Sequence, residues 1–159
     1  MKLLAIDPGS NYCGVYDGND LYTLNLNPTK NAKRPERLAN LYNELADMLS
    51  CNWYDFVVYE TPFCRGRDAT RCLWGVAGII EAAAHYHGAG IIDVANTALR
   101  RWATGTGKKQ VKDKGSKSNP MFVKARELAP PVFWGKMNEH EADAICLYHY
   151  TLEKAVYNA

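Results

Sequence analysis

Four residues in this sequence, Asp7, Glu60, His140 and Asp143, are of the types that hold a divalent cation through carboxylate oxygens or an imidazole nitrogen. Asp7 follows the apolar run Leu3-Leu4-Ala5-Ile6, and Glu60 follows Phe56-Val57-Val58-Tyr59, so each stands at the end of a short candidate strand. If those strands are neighbours, the two carboxylates come within bridging distance, where their repulsion calls for a proton or a cation. Hard oxygen ligands favour Mg²⁺, with Mn²⁺ as a substitute. His140 and Asp143 are three residues apart, so on a helix they share a face; Glu139 and Glu141 add charge beside them. Two cations about 4 Å apart stabilise both the attacking and the leaving oxygen of an in-line phosphoryl displacement. The set therefore predicts metal-dependent cutting of a nucleic-acid backbone. Taken singly, each residue has a plainer reading. Asp7 before Pro8-Gly9 suits a turn, His140 suits a helix terminus, and Glu141 suits a capping box with Asn138.

The elements that must position these residues are legible in outline. After the first strand, Cys13–Tyr16 and 21–26 read as two more strands joined through Asp17-Gly18, giving an opening meander. Leu38, Leu41, Tyr42, Leu45, Met48 and Leu49 recur at helical spacing from Arg37, with Pro35 upstream suiting a helix start. Phe56–Tyr59 is a fourth strand, stopped by Thr61-Pro62. A helix from Thr70 to His87, rich in small residues, is ended by Gly88 and Gly90. Ile91–Val94 is a fifth strand, and Asn96-Thr97 caps a short helix through Trp102. Helices over 120–128 and from Asn138-x-x-Glu141 through Leu152 complete the pattern, with no internal repeat. The fold class is α/β: a mixed five-stranded sheet flanked by helices.

A chain of 159 residues is read as one domain spanning 1–159. Its 47% hydrophobic and 23% charged content is that of an ordinary globular protein. No apolar run reaches the roughly 18 residues of a membrane span, and Ile6 leads straight into Asp7, so a cytoplasmic protein is expected. The five cysteines contain no C-x-x-C and are expected to be reduced and mostly buried. His85, His87 and His149 read as structural. Net charge is only +2, but Arg100 to Arg126 holds nine basic residues against Asp113 alone. Within it Lys108, Lys109, Lys112, Lys114 and Lys117 lie in a stretch without apolar periodicity, a candidate phosphate-binding loop or a merely solvated one. Phe63 either stacks on a base or packs beneath the loop after Glu60.

Ala5-Ile6-Asp7-Pro8-Gly9-Ser10 with Gly14 resembles the first motif of the RuvC-type Holliday-junction resolvases, and Tyr59-Glu60-Thr61-Pro62-Phe63 resembles the second. His140-Glu141-Ala142-Asp143 matches the closing motif, whose first position is aspartate in some members and histidine in others. Arg37-Leu38 through Leu41-Tyr42 resembles the family's first helix, and Trp74 to Ala84 its small-residue dimerisation helix. The resemblance runs nearly end to end. It implies an RNase H-like fold, a homodimer, and paired symmetric nicking of four-way DNA junctions with Mg²⁺ or Mn²⁺ at Asp7, Glu60, His140 and Asp143. It also implies DNA contacts by Phe63 and the lysines, Lys117 nearest the phosphates. The basic segment looks longer than the family's, which leaves open a broader nuclease acting on forks, flaps and loops. Two rivals are a non-catalytic DNA-binding module and an ATP-binding protein, since Asp7-x-Gly9-Ser10 is similar to the phosphate loop of actin and the sugar kinases. The complete acidic set argues against the first and the chain's length against the second.

Overall fold

The computed structural model of the protein describes residues 1–63, 66–106, 119–135 and 137–157. The lysines Lys108, Lys109, Lys112, Lys114 and Lys117 lie outside the described residues.

Five strands, β1 (Leu3–Asp7), β2 (Tyr12–Tyr16), β3 (Leu21–Asn25), β4 (Phe56–Glu60) and β5 (Gly90–Val94), form one sheet in the order β3-β2-β1-β4-β5. The meander β1-β2-β3 is antiparallel, and β1-β4 and β4-β5 are parallel, so the sheet is mixed as expected. The β2–β3 turn forms where Asp17-Gly18 indicated: Gly18 takes φ +97°, and Asp17 Oδ1 accepts the amides of Asn19 and Asp20.

The described residues also form five α-helices, α1 (Arg34–Cys51), α2 (Arg67–Tyr86), α3 (Asn96–Thr104), α4 (Pro120–Leu128) and α5 (Glu139–Tyr157), with a 3₁₀ turn at Pro131–Phe133. Several boundaries differ from expectation. Pro35 lies inside the first turn of α1, not ahead of it, because the Glu36 carboxylate accepts the Lys33 amide at 2.6 Å and starts the helix there. The second helix begins at Arg67, not Thr70. Gly88, with φ +77°, ends it, whereas Gly90 already belongs to β5. Asn96 does not cap α3; Ala95 holds that position, and the Asn96 side chain is engaged elsewhere. The last helix continues past Leu152 to Tyr157.

The sheet separates two sets of buried side chains. Leu4, Ile6, Val15, Val57 and Tyr59 face α1 and α2, meeting Leu41, Leu45, Val76, Ala77 and Ile80. Ala5, Tyr16, Val58 and Val94 face the other way, onto Leu99, Met121, Ala125, Ile145 and Leu147 of α3, α4 and α5. Helix α5 lies across β2 and β1 and reaches β4. Its segment Ala144-Ile145-Cys146-Leu147 is buried on consecutive positions, as befits a helix covered by the sheet on one side and α4 on the other. Of the four described cysteines, all unpaired, Cys13 and Cys146 are buried but Cys51 is exposed and Cys72 half-buried, so burial of the thiols is less general than expected. Among the described residues no helix is long and apolar enough to cross a membrane.

Candidate metal and nucleic-acid site

Side chains alternate along a strand, so Asp7 shares its face with Ala5, and Glu60 with Val58. Both partners point toward α5, and the carboxylates must do the same. The register Ile6↔Tyr59 in the parallel pair sets Asp7 and Glu60 level, one step further on. Asp143 arrives from α5, one turn in from the helix start. One carboxylate oxygen from each of Asp7, Glu60 and Asp143 lies within 4.8 Å of the other two.

His140 joins this trio through Asp7: its Nδ1 lies 2.6 Å from Asp7 Oδ2. The ring fits because residue 9 is glycine. A Cβ there would stand 2.8 Å from His140 Cε1 and 2.2 Å from the Tyr12 carbonyl. Gly14 does the same for the backbone, since a Cβ on it would lie 2.1 Å from the His140 carbonyl oxygen. The first turn of α5 is thus seated directly on β2. It is fastened there by a reciprocal cap: Asn138 Oδ1 accepts the Glu141 amide at 3.0 Å, and Glu141 accepts the Asn138 amide at 2.9 Å. Thr23 on β3 hydrogen-bonds both side chains. Glu141 therefore belongs to the cap and does not turn into the carboxylate trio.

The electrostatics follow from crowding three acids in one half-dry place. Burial, reinforced by the charge of Asp7, pushes Glu60 from 4.5 up to about 7. Burial also holds Asp143 well above the ordinary aspartate value, again with Asp7 and Glu60 adding to the effect. The hydrogen bond to Asp7 raises the His140 imidazole, against the opposing effect of burial. Such a set is unfavourable when fully ionised, and a divalent cation relieves it. All three donors are carboxylate oxygens, the chemistry of a hard cation. The residues present therefore fit a Mg²⁺- or Mn²⁺-type ion.

Two residues near the trio escape a reading from sequence. Asn96 hydrogen-bonds Glu60 Oε1 through its amide nitrogen, and Arg100 Nε donates to Asn96 Oδ1 at 2.7 Å. Their spacing of four on a helix next to β5 was the available signal, but Asn96 reads as a cap and Arg100 as part of a basic stretch. Phe63 stands three residues beyond Glu60 and is 64% exposed. In the basic stretch, Arg101 and Arg126 are exposed, while Lys124 is paired with Glu127 at 3.2 Å and lies over the Trp102 ring.

No family model matches the chain. It is 30% identical over 123 residues to the crossover junction endodeoxyribonuclease RuvC of Nitratidesulfovibrio vulgaris strain DP4, covering 72% of this chain and 74% of that protein. The chain belongs to the RuvC family. Among solved structures, Thermus thermophilus RuvC superposes with a TM-score of 0.74 at 16% identity, covering 99% of this chain and 97% of its own. The T. thermophilus RuvC bound to a Holliday junction substrate gives 0.76 at 16% identity, with 99% and 96% covered. The yeast mitochondrial Holliday junction resolvase gives 0.62 at 14% identity, with 98% and 83% covered. The sheet order and flanking helices are thus those of RuvC, an RNase H-like α/β fold, and membership of the RuvC family implies dependence on a divalent metal.

Proposed function

We propose that this protein resolves four-way DNA junctions by paired symmetric nicks, hydrolysing the phosphodiester bond at Asp7, Glu60, His140 and Asp143. The observation that carries the reading is the convergence of Asp7, Glu60 and Asp143 donor oxygens within 4.8 Å in a chain of the RuvC family. Asp7, Glu60 and Asp143 would hold Mg²⁺, or Mn²⁺ in its place, as two ions per site. Bound there, a divalent cation would supply charge neutralisation for an in-line displacement at phosphorus. His140, anchored to Asp7 through Nδ1, receives the proton of the attacking water at Nε2. Water oxygen bonds to phosphorus as the bond to the 3′ oxygen breaks, and the released 3′ oxygen takes a proton from solvent, leaving a 5′-phosphate and a 3′-hydroxyl.

Phe63, exposed beside Glu60, is assigned to stacking on a base opened at the branch point. Lys108, Lys109, Lys112, Lys114 and Lys117 are assigned, on sequence, to backbone phosphates. The outward face of α2 carries exposed Trp74 and, four residues on, Gly78 with open space around it, the surface we assign to a homodimer contact. Gly75, Ala77, Ala83 and Ala84 are spent inside the chain: Gly75 lies against Leu38 of α1, and the alanines are buried. Residues 1–159 are read as a single nuclease domain, both buried clusters sharing one sheet. A cytoplasmic setting suits the unpaired cysteines among the described residues.

Labelled four-way junctions, forks, flaps and linear duplex incubated with Mg²⁺ test this reading. Paired cuts at symmetric positions on opposing strands of the junction, lost in Asp7→Asn, are expected. Equal cutting of flaps and forks would make the enzyme a broader branched-DNA nuclease, and undiminished cutting by Asp7→Asn would remove the site assignment.

A further inference from the structure

Helix α3 begins directly after β5, whose last residue, Val94, pairs with Glu60 in the sheet. Asn96 falls in its first turn, a place where asparagine usually caps backbone amides, yet it makes no capping bond. Its Nδ2 instead donates to Oε1 of Glu60, and its Oδ1 accepts from Nε of Arg100 at 2.7 Å, one helical turn on. All three side chains are half-buried. A guanidinium can only donate and an ionised carboxylate can only accept, so the two partners leave the amide one orientation. Turned over, it would set donor against donor and acceptor against acceptor.

We infer that Asn96 and Arg100 form a brace that fixes the Glu60 carboxylate, committing one oxygen to the protein and presenting the other to a divalent cation. Asn96 is the positioning residue, and Arg100 acts through it. The inference rests on the metal-site reading above. A neutral amide suits the task, because it holds an oxygen without bringing a positive charge into the cation's place. The Arg100 charge stands one residue further out and still acts on both Glu60 and Asp143. Mg²⁺ and Mn²⁺ sites favour single-oxygen carboxylate ligands in near-octahedral geometry, whereas Ca²⁺ accepts bidentate ones. The brace therefore biases the site toward the smaller ions.

Mn²⁺ titration of the full chain, followed by electron paramagnetic resonance and by nicking rate, tests the brace. Partners that orient metal ligands typically matter about 10- to 100-fold in metal affinity. Asn96→Ala is expected to raise the half-saturating Mn²⁺ concentration about tenfold in both readouts, with nicking largely restored at saturating Mn²⁺ and Ca²⁺ binding changed less. Arg100→Gln and Arg100→Ala lose the same charge, but only glutamine can still donate to Asn96, so Arg100→Gln should bind Mn²⁺ more tightly than Arg100→Ala. Native Mn²⁺ affinity in Asn96→Ala, or equal affinities in the Arg100 pair, overturns the brace; the pair decides alone if Asn96→Ala does not fold. Asp7→Asn separates the two levels. Loss of Mn²⁺ binding there with native binding in Asn96→Ala removes only the brace, while native binding in Asp7→Asn removes the metal site and the brace together.

Discussion

At Glu60 a proton and a cation are alternatives, because burial and the neighbouring Asp7 make the bare carboxylate unfavourable. Its value is 4.5 in an unfolded chain and about 7 in the folded one. Between those values the folded state binds more protons than the unfolded state, so stability declines as pH rises through this window and levels off above it. The raised Asp143 acts in the same direction. Thermal melting in a chelator should therefore show the native protein losing stability, relative to Glu60→Gln, from about pH 4.5 to about pH 7. Parallel pH profiles for the two proteins would mean that Glu60 titrates as if in water. At the proposed metal site, affinity should run the other way, rising with pH as Glu60 and Asp143 lose their protons.

The strand–helix contact at Gly14 fixes where His140 and Asp143 stand. A Cβ on this residue meets the His140 carbonyl oxygen at 2.1 Å and the Glu141 amide at 2.7 Å, backbone atoms that cannot rotate away. Gly14→Ala must lift the first turn of α5 from β2, at a cost of about 1–3 kcal/mol for an overpacked contact. It should lower the melting temperature and also weaken Mn²⁺ binding, whereas a variant that melts lower but binds Mn²⁺ normally would show that the site tolerates the shift. The contact marks the limit of what could be read from sequence. The short apolar strands, the helix from Pro120 to Leu128 and the Asn138–Glu141 cap were legible because each is decided by residues close in the chain. Asp7, Glu60, His140 and Asp143 stood out by residue type, but their meeting required the parallel pairing of β1 with β4 and the seat on Gly14. Asn96 reads as a cap from sequence because a local rule favours it there, and only the neighbouring strand reveals the carboxylate it hydrogen-bonds.

At the scale of the whole molecule, α2 divides its small residues between two tasks. Its inner side closes on α1 and the sheet, and its outer side exposes Trp74 and Gly78, the surface assigned above to a second copy. Gly78→Arg places a long charge where there is open space, and it improves helix propensity, so the monomer should fold normally. Sedimentation velocity should find native dimers and Gly78→Arg monomers, with Mn²⁺ binding unaltered; a variant that remains dimeric would move the contact to another surface. The partnership of His140 with Asp7 has a different consequence, for it joins residues 133 positions apart. On the ribosome, β1 and β4 can pair long before α5 has been made. Until then Asp7 and Glu60 face one another without Asp143, without His140 and without the helix that covers their side of the sheet. A nascent chain that stops short of α5 thus carries only half of the proposed cutting centre, and cutting of DNA awaits the helix that brings His140 and Asp143.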